Sequence, residues 1–321
     1  MRAIILEKFG DESVMKIGNV ASPPVGTRDI RIAVRATSVN RADLLQREGK
    51  YPPPPGASEI LGLECAGEVI EAGANVGGWK VGDRVMALLP GGGYAEEVVV
   101  DAGSAMPIPD VLTYEEAGAI PEVFLTAFLN VFELARAKAG EVLLVHGGGS
   151  GVGTAATTLA KLAGLRVIVT AGADEKCARC LEHGADVAIN YRNEDFAGRA
   201  QDVDIVLDHI GAKYLPKDLS ILRTGGRVVI IGSMGGERTA EIDVAAVLGK
   251  RLQIIGSTLR SRPAEEKAAI VRAFLVRFGD DLSSGNIRPP IHIVLPLDRA
   301  AEAHRLMKAS EHFGKIVLRV R

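Results

Sequence analysis

The chain has 321 residues, 47% hydrophobic and 24% charged, a composition typical of a globular protein with about two domains. A net charge of −2 argues against electrostatic nucleic-acid binding, and no apolar run approaches the roughly 20 residues that cross a bilayer. Three cysteines, Cys65, Cys177 and Cys180, cannot form a disulfide framework. We therefore expect a cytoplasmic protein without nucleic-acid or membrane partners.

The N-terminal third alternates short apolar segments with Gly, Pro and Asp, which predicts an antiparallel or barrel-like β domain. The first eight residues place charge beside a short apolar run, so they indicate a strand and not a signal peptide. Further strands are predicted at residues 30–34, 65–70, 84–88 and 95–100. Tyr51 precedes four prolines, which predict a stiff, extended loop because each proline fixes φ and lacks a donor.

The sequence turns helical between Tyr114 and Ala137, with Pro121 at a break or a first helical turn. An apolar run at residues 142–145 then passes into a glycine-rich turn, and residues 154–163 favour a helix. Strand, glycine turn and helix form the crossover that holds a dinucleotide pyrophosphate. Glycines also make ordinary tight turns, so the strand and helix around them carry the interpretation.

Five further apolar segments continue at the spacing of βαβ units and predict a doubly wound α/β fold with a six-stranded parallel sheet. They are residues 166–170, 187–190, 205–209, 228–231 and 252–257. Residues 262–278 favour a helix, and the tail returns to strands at 291–295 and 315–320 around a helix at 297–308. We predict a β-rich domain of residues 1–120 and 265–321 with a dinucleotide-binding domain, 121–264, inserted into it.

Nine segments along nearly the whole chain resemble the zinc-independent quinone oxidoreductases of the medium-chain dehydrogenase/reductase superfamily. The resemblance is strongest to the tumour-suppressor-inducible branch of the zeta-crystallin-like enzymes. The segments are residues 38–49, 51–57, 60–64, 86–95, 119–122, 125–128, 150–155, 259–262 and 314–318. This family implies a GroES-like catalytic domain, a Rossmann domain and a homodimer.

The resemblance also implies that no metal is bound. Asn40 and Arg41 stand where alcohol dehydrogenases have Cys-His, and Leu63 stands where a zinc-ligating His precedes a Glu. Cys177 and Cys180 have CxxC spacing, but no second ligand pair accompanies them, so we interpret them as ordinary helix residues.

A quinone is electron-poor, so hydride transfer to it needs three things: correct positioning of the quinone, a pocket that excludes water and one or two hydrogen-bond donors. We expect this pocket in the cleft between the two domains. Tyr51 is the first donor candidate, with packing on the proline rings as its alternative. Ser150 is the second, with turn or helix capping as the alternative. Asn40 and Asp43 are expected at the pocket floor, although Asp43 could equally pair with Arg41 or Arg47.

We expect NADPH as the cofactor, with NADH weaker, because no acidic residue ends the second nucleotide-domain strand. Lys176 could meet the 2′-phosphate or be a solvated helix charge, and Tyr191 could stack nearby. Asp174 and Glu175 weaken this expectation if they point inward. Thr126 lies near the nicotinamide by resemblance, or bonds its own helix carbonyl. The remaining predicted cofactor contacts are Asn40, Gly148, Gly149, Ser150, Gly151, Val152, Gly153, Thr170, Gly172, Ile210, Gly232, Met234, Ser257, Leu259, Arg260 and Lys315.

Several alternatives stay open. Arg260 could equally be a surface charge. We interpret His146 and His209 as cofactor-edge or packed histidines and not as bases, because neither has a nearby carboxylate–nucleophile constellation. The apolar strand at 252–257 would be an exposed sheet edge, so we expect it to pair with its symmetry mate. Reduction of an activated C=C bond, as in enoyl or alkenal reductases, and non-catalytic nucleotide binding are the competing functions.

Overall fold

The computed structural model describes the whole chain, which forms two compact units. Both chain ends build the first unit, Met1–Leu125 with Leu259–Arg321, and the middle of the chain builds the second, Thr126–Thr258. None of the helices is at once long enough and apolar enough to cross a membrane.

The first unit is organised around a seven-stranded mixed sheet with the order β14-β15-β3-β4-β5-β7, in which β6 also pairs with β3. A separate hairpin joins β1 and β2. The strands are β1 Arg2–Leu6, β2 Met15–Asn19, β3 Asp29–Ser38, β4 Glu64–Ala72, β5 Arg84–Leu88, β6 Glu97–Asp101, β7 Ala105–Pro107, β14 Ile291–Pro296 and β15 Lys315–Arg319. Because β15 pairs antiparallel with β3, the tail of the chain completes the sheet that its beginning starts.

The β3–β4 pairing depends on a residue without a side chain. Gly67 of β4 lies opposite Val34, and a Cβ atom at Gly67 would lie 2.0 Å from the Ala33 carbonyl oxygen. No side chain fits at that distance, so glycine is required where the two strands approach most closely. Buried apolar residues of β3, β4 and β15, such as Ile32, Val69 and Leu318, then form the core of this unit.

Four helices lie within the first unit: α1 Arg41–Arg47, α2 Tyr114–Ala117, α9 Ala264–Ser283 and α10 Ala300–Ala309. A fifth, α3 Pro121–Phe128, begins in the first unit and ends in the second. The helical character expected from Tyr114 onward is thus confirmed, with Pro121 as the first residue of α3. This position suits proline, because the N–H it lacks has no acceptor in a first helical turn. The chain then continues as a π-helix, Leu129–Leu134.

The second unit confirms the predicted doubly wound fold. All six strands are parallel, in the order β10-β9-β8-β11-β12-β13, and the order reverses between β8 and β11. Ligands of such sheets bind at the carboxyl ends of the strands near this reversal. The elements are β8 Val142–Val145, α4 Gly151–Leu162, β9 Arg166–Ala171, α5 Asp174–Glu182, β10 Val187–Asn190, α6 Phe196–Arg199, β11 Val203–Asp208, α7 Leu215–Ile221, β12 Leu222–Ile230, α8 Val244–Lys250 and β13 Gln253–Gly256.

Several element bounds differ from the expected ones for local reasons. Helix α4 begins at Gly151, three residues before the expected start, because the Ser150 side chain caps its first turn. Strand β12 begins at Leu222, six residues early, and its register with β11 shifts between Val203 and Ile205. The tail helix expected from residue 297 starts as a 3-10 turn, Leu297–Arg299, before α10.

Candidate active site

The glycine turn after β8 packs so closely that side chains are excluded from it. Gly147 has φ +65°, and a Cβ atom there would lie 2.4 Å from the His209 ring. A Cβ atom at Gly153 would lie 2.3 Å from the Gly147 carbonyl oxygen. The Ser150 hydroxyl oxygen accepts the Gly153 N–H at 3.0 Å as the N-cap of α4. The turn is therefore bare backbone at a helix N-terminus, which suits a phosphate group.

The turn after β9 carries no carboxylate among residues 171–173. A Cβ atom at Gly172 would lie 2.5 Å from the Tyr191 hydroxyl, so Tyr191 covers this turn while 43% of the residue stays exposed. Asp174 is exposed and accepts a hydrogen bond from the Asn190 amide at 2.6 Å. Lys176 is half-buried in the first turns of α5.

Backbone hydrogen bonds fasten the loops that follow β11 and β12. The two Asp208 carboxylate oxygens accept the N–H groups of Ile210 and Gly211 at 2.6 and 2.9 Å. The N–H of Met234 donates to the His209 carbonyl oxygen. After β13, the Ser257 hydroxyl oxygen is buried and has no hydrogen-bond partner in the protein. The predicted cofactor contacts Ile210, Met234 and Ser257 thus all lie at the carboxyl edge of the sheet.

His146 is only 1% exposed, as expected of a packed histidine, and a carboxylate that the sequence did not reveal lies beside it. Its Nε2 lies 2.9 Å from Asp218 Oδ1 and its Nδ1 lies 3.0 Å from the Thr170 hydroxyl. Burial lowers the pKa of His146 to about 4 and raises the pKa of Asp218 to about 8. His146, Asp208 and Asp218 are the one group of side chains whose ligand atoms, all within 4.8 Å of one another, could hold a metal ion. However, both ring nitrogens of His146 already take part in hydrogen bonds.

In the first unit, Tyr51 is held by Arg260. The Arg260 guanidinium lies 5.3 Å from the centre of the Tyr51 ring, a cation–π contact. Its N–H groups donate to the carbonyl oxygens of Pro90 and Tyr51 and to the Gln46 side-chain oxygen. Arg260 is only 4% exposed, so the alternative of a surface charge is wrong. All three of these acceptors are neutral.

The polar centre of this unit is Glu64, which is fully buried. Its Oε1 accepts hydrogen bonds from Ser38, Asn40 and Lys315 at 2.6, 2.8 and 2.9 Å, and its Oε2 accepts the Glu122 N–H at 2.9 Å. The Lys315 ammonium also donates to the Val39 carbonyl and to Asn40 Oδ1. The three donors of Lys315 are therefore used within this unit, while its predicted contact with the cofactor stays a prediction.

Asp43 is a structural residue, but its partners are not the expected arginines. It accepts the N–H groups of Asn40 and Gly62 and the Tyr94 hydroxyl, while burial raises its pKa to about 6. Tyr94 also contacts Nε2 of buried His304, whose Nδ1 lies 3.1 Å from a guanidinium nitrogen of Arg47. Because arginine only donates, His304 Nδ1 accepts and Nε2–H donates to Tyr94, which donates to Asp43. This chain of hydrogen bonds positions Asp43 and the start of α1.

The first unit thus brings together Tyr51 with Arg260, and Asn40 with Asp43 and Lys315. The second brings together the glycine turn, Ser150 and Thr170, and separately Gly172 and Tyr191. Of the others, Leu259 is buried in the first unit, whereas Thr126 is half-buried in α3 and accepts the Asn130 amide with its carbonyl. The sequence did not reveal the roles of Glu64 and Glu122. A charged residue directly after the apolar run 60–63 was the available signal for Glu64.

Comparison with known proteins matches both parts of the chain. Residues 26–110 match the alcohol dehydrogenase GroES-like domain and residues 151–274 match the zinc-binding dehydrogenase family. A quinone oxidoreductase from Rattus norvegicus is 32% identical over 327 residues, with 99% of this chain and 97% of the relative covered. An NAD-dependent alcohol dehydrogenase structure matches with TM-score 0.87 and 32% identity over 100% of both chains. The Escherichia coli quinone oxidoreductase complexed with NADPH matches with TM-score 0.85 and 26% identity, again over 100% of both chains.

Replacement of Lys315 by methionine should destabilise the protein strongly, because it leaves the Glu64 carboxylate buried without its cation. We expect a loss of about 3–5 kcal/mol in the free energy of unfolding, measured by urea denaturation. The double variant Lys315→Met/Glu64→Gln should recover part of this loss. Lys80→Met, at an exposed position, is the matched control and should change stability by less than about 0.5 kcal/mol. A single variant as stable as the control would contradict this role of Lys315.

Proposed function

The chain belongs to the quinone oxidoreductases of the medium-chain dehydrogenase/reductase superfamily, and on that basis we propose that it is an NADPH-dependent quinone reductase that works without a metal. The observation that carries the proposal is the similarity to a quinone oxidoreductase along 99% of this chain and 97% of the relative. The pairing of a phenol with a buried guanidinium, Tyr51 with Arg260, supplies the donor that such a reaction requires.

The second unit fits a dinucleotide at its glycine turn. The N–H groups at the start of α4, around Gly151 and Val152, would hold the pyrophosphate, because no side chain fits against the turn at Gly147 or Gly153. NADPH is favoured by the lack of a carboxylate at residues 171–173 and by Lys176 and Tyr191 near that turn. When bound, the dihydronicotinamide supplies a hydride from its C4 carbon.

Tyr51 is the proposed donor to the quinone oxygen as negative charge develops there. Its guanidinium partner fixes the ring and adds positive charge. Ser150 accepts a hydrogen bond as the cap of α4, which still leaves its hydroxyl proton for donation. Asn40 and Asp43 shape the floor from the start of α1, with Asn40 held by Glu64 and Lys315.

The side chains at the positions that correspond to the zinc ligands of alcohol dehydrogenases support a reaction without a metal. Asn40, Arg41 and Leu63 offer no thiolate, imidazole or carboxylate ligand. The Arg41 side chain donates to the Met307 carbonyl oxygen at 3.4 Å, and Leu63 is buried. A quinone needs no Lewis acid as strong as zinc, because its reduced product is a delocalised phenolate.

The experiment follows the absorbance of NADPH, and of NADH in parallel, with and without an ortho-quinone. We expect quinone-dependent oxidation that is faster with NADPH. Tyr51→Phe should lower kcat by about 100-fold, the usual cost of removing one donor to a developing oxyanion. Tyr114→Phe is the matched control, since it removes a phenol bonded to Glu68 in the same unit, and its turnover should equal that of the wild type.

Three results would change this proposal, and the last two would contradict it. Oxidation that is unaffected by Tyr51→Phe would keep the quinone reductase activity but limit Tyr51 to packing on the proline loop. Turnover with an alkenal and none with any quinone would replace the proposal by reduction of activated C=C bonds. Tight NADPH binding without turnover on either acceptor would favour a binding protein.

We also propose a homodimer through β13. This strand lies at the edge of the six-stranded sheet, Ile254 on it is 40% exposed, and Val244 and Leu248 on the neighbouring α8 are exposed as well. An apolar edge strand is protected when it pairs with a symmetry mate.

Light scattering at micromolar protein should therefore give twice the chain mass of 33.9 kDa. Ile254→Glu should shift the protein toward the monomer, because charge placed on a paired edge is desolvated. Val276→Glu, at the most exposed valine, is the control and should leave the mass unchanged. A wild-type monomer would remove the proposal.

A further inference from the structure

A carboxyl group that the proposed reaction does not use lies in the first unit. Glu122 is the second residue of α3, and its backbone N–H donates to Glu64. Its side-chain Oε2 is buried and has no hydrogen-bond partner in the protein. A buried carboxylate oxygen without a donor is costly, whereas the protonated acid is not charged. The surroundings of Glu122 therefore favour its acid form.

Charged groups from several elements surround this carboxyl. Burial is the main cause that raises the pKa of Glu122 to about 8, and the negative charges of Glu64 and Asp43 raise it further. The positive charges of Lys315 and Arg260 act in the opposite direction. The buried side chain of Lys267 on α9 also interacts with Glu122. Lys315 is already neutralised by Glu64, so its opposing effect is limited.

The charge of the Glu122 carboxylate also affects the pKa of Tyr51. Burial raises the pKa of the Tyr51 phenol, and the negative charge of Glu122 is the second cause, with Arg260 opposing. Glu122 and Arg260 are thus the two charged side chains that act on Tyr51. A phenol with a pKa above its usual value of about 10 donates hydrogen bonds but is a weak proton source at neutral pH, whereas a carboxylic acid near neutrality is well matched to that task.

We propose that Glu122 is a positioning residue that holds the proton for the reduced substrate and delivers it through Tyr51. This inference rests on the proposed quinone reductase function and names a residue beyond its expected donors. It also explains why a carboxyl without a hydrogen-bond partner for one oxygen is kept where its charge acts on both Tyr51 and Arg260.

The protons balance in four steps. Addition of a hydride to the quinone gives a hydroquinone anion. The Tyr51 O–H bond breaks and its proton moves to the anionic oxygen. The Glu122 carboxyl O–H bond then breaks and its proton restores the Tyr51 hydroxyl, either directly or along one water molecule. The Glu122 carboxylate finally takes a proton from solvent, so that one hydride and one solvent proton reach the quinone.

The activity test compares kcat against pH for the wild type, Glu122→Gln, Glu122→Asp and Glu182→Gln. Wild-type kcat should fall above a pH of about 8, as the Glu122 proton is lost. Glu122→Gln should lower kcat by about 100-fold, the lower end of what a positioned acid contributes, and remove the alkaline fall. Glu122→Asp should restore the fall, and the exposed control Glu182→Gln should match the wild type.

A second readout needs no turnover. The folded protein holds the Glu122 proton up to a pH of about 8, whereas the unfolded chain releases it near a pH of about 4.3. Stability therefore falls as pH rises between these two values, and glutamine escapes this loss. The Tm of Glu122→Gln minus that of the wild type should become more positive from pH about 5 to pH about 9, with no such trend for Glu182→Gln.

The outcomes are separable. A wild type that reduces no quinone ends the proposed function, while the Tm comparison still tests the proton on Glu122. An active wild type whose alkaline fall persists in Glu122→Gln, or a Tm difference independent of pH, overturns the role of Glu122. Loss of the fall together with the pH-dependent Tm difference supports it, even if Glu122→Gln is less stable overall.

Discussion

The first unit depends on the burial of one carboxylate, Glu64. A buried charge is tolerated only when its oxygens are fully hydrogen-bonded and a counter-ion lies beside it. The four donors come from Ser38 at the end of β3, Asn40 before α1, Lys315 at the start of β15 and the backbone at the start of α3. The first strands, the tail and the chain's entry into α3 are therefore joined at this single group.

This requirement shapes the chemistry of the site. The cation beside Glu64 is an ammonium supplied by the chain, and Asn40 is oriented by contacts to both partners. With Lys315 occupied there, the positive charge next to Tyr51 comes from Arg260, whose hydrogen-bond acceptors are neutral. The charge of Glu122 also acts on Tyr51. The second unit, by itself, carries a glycine turn that suits a phosphate group.

The sequence predicted what depends on local pattern. Apolar periodicity located the six parallel strands and the glycine turn, because both follow from neighbouring residues. It did not predict that Asp218 lies against His146, since 72 positions separate them and only the folding of the sheet joins them. For the same reason it did not predict the hydrogen-bond partners of Lys315 and Arg260. Their partners, at Glu64 and at Tyr51 and Gln46, lie more than 200 positions away.

The most direct test of metal-free quinone reduction is turnover after exhaustive chelation, with the metal content of the same sample measured by mass spectrometry. We expect undiminished NADPH oxidation by an ortho-quinone in protein that carries far less than one metal ion per chain, since Asn40, Arg41 and Leu63 offer no ligand set. Activity that disappears on chelation and returns with stoichiometric zinc would contradict it.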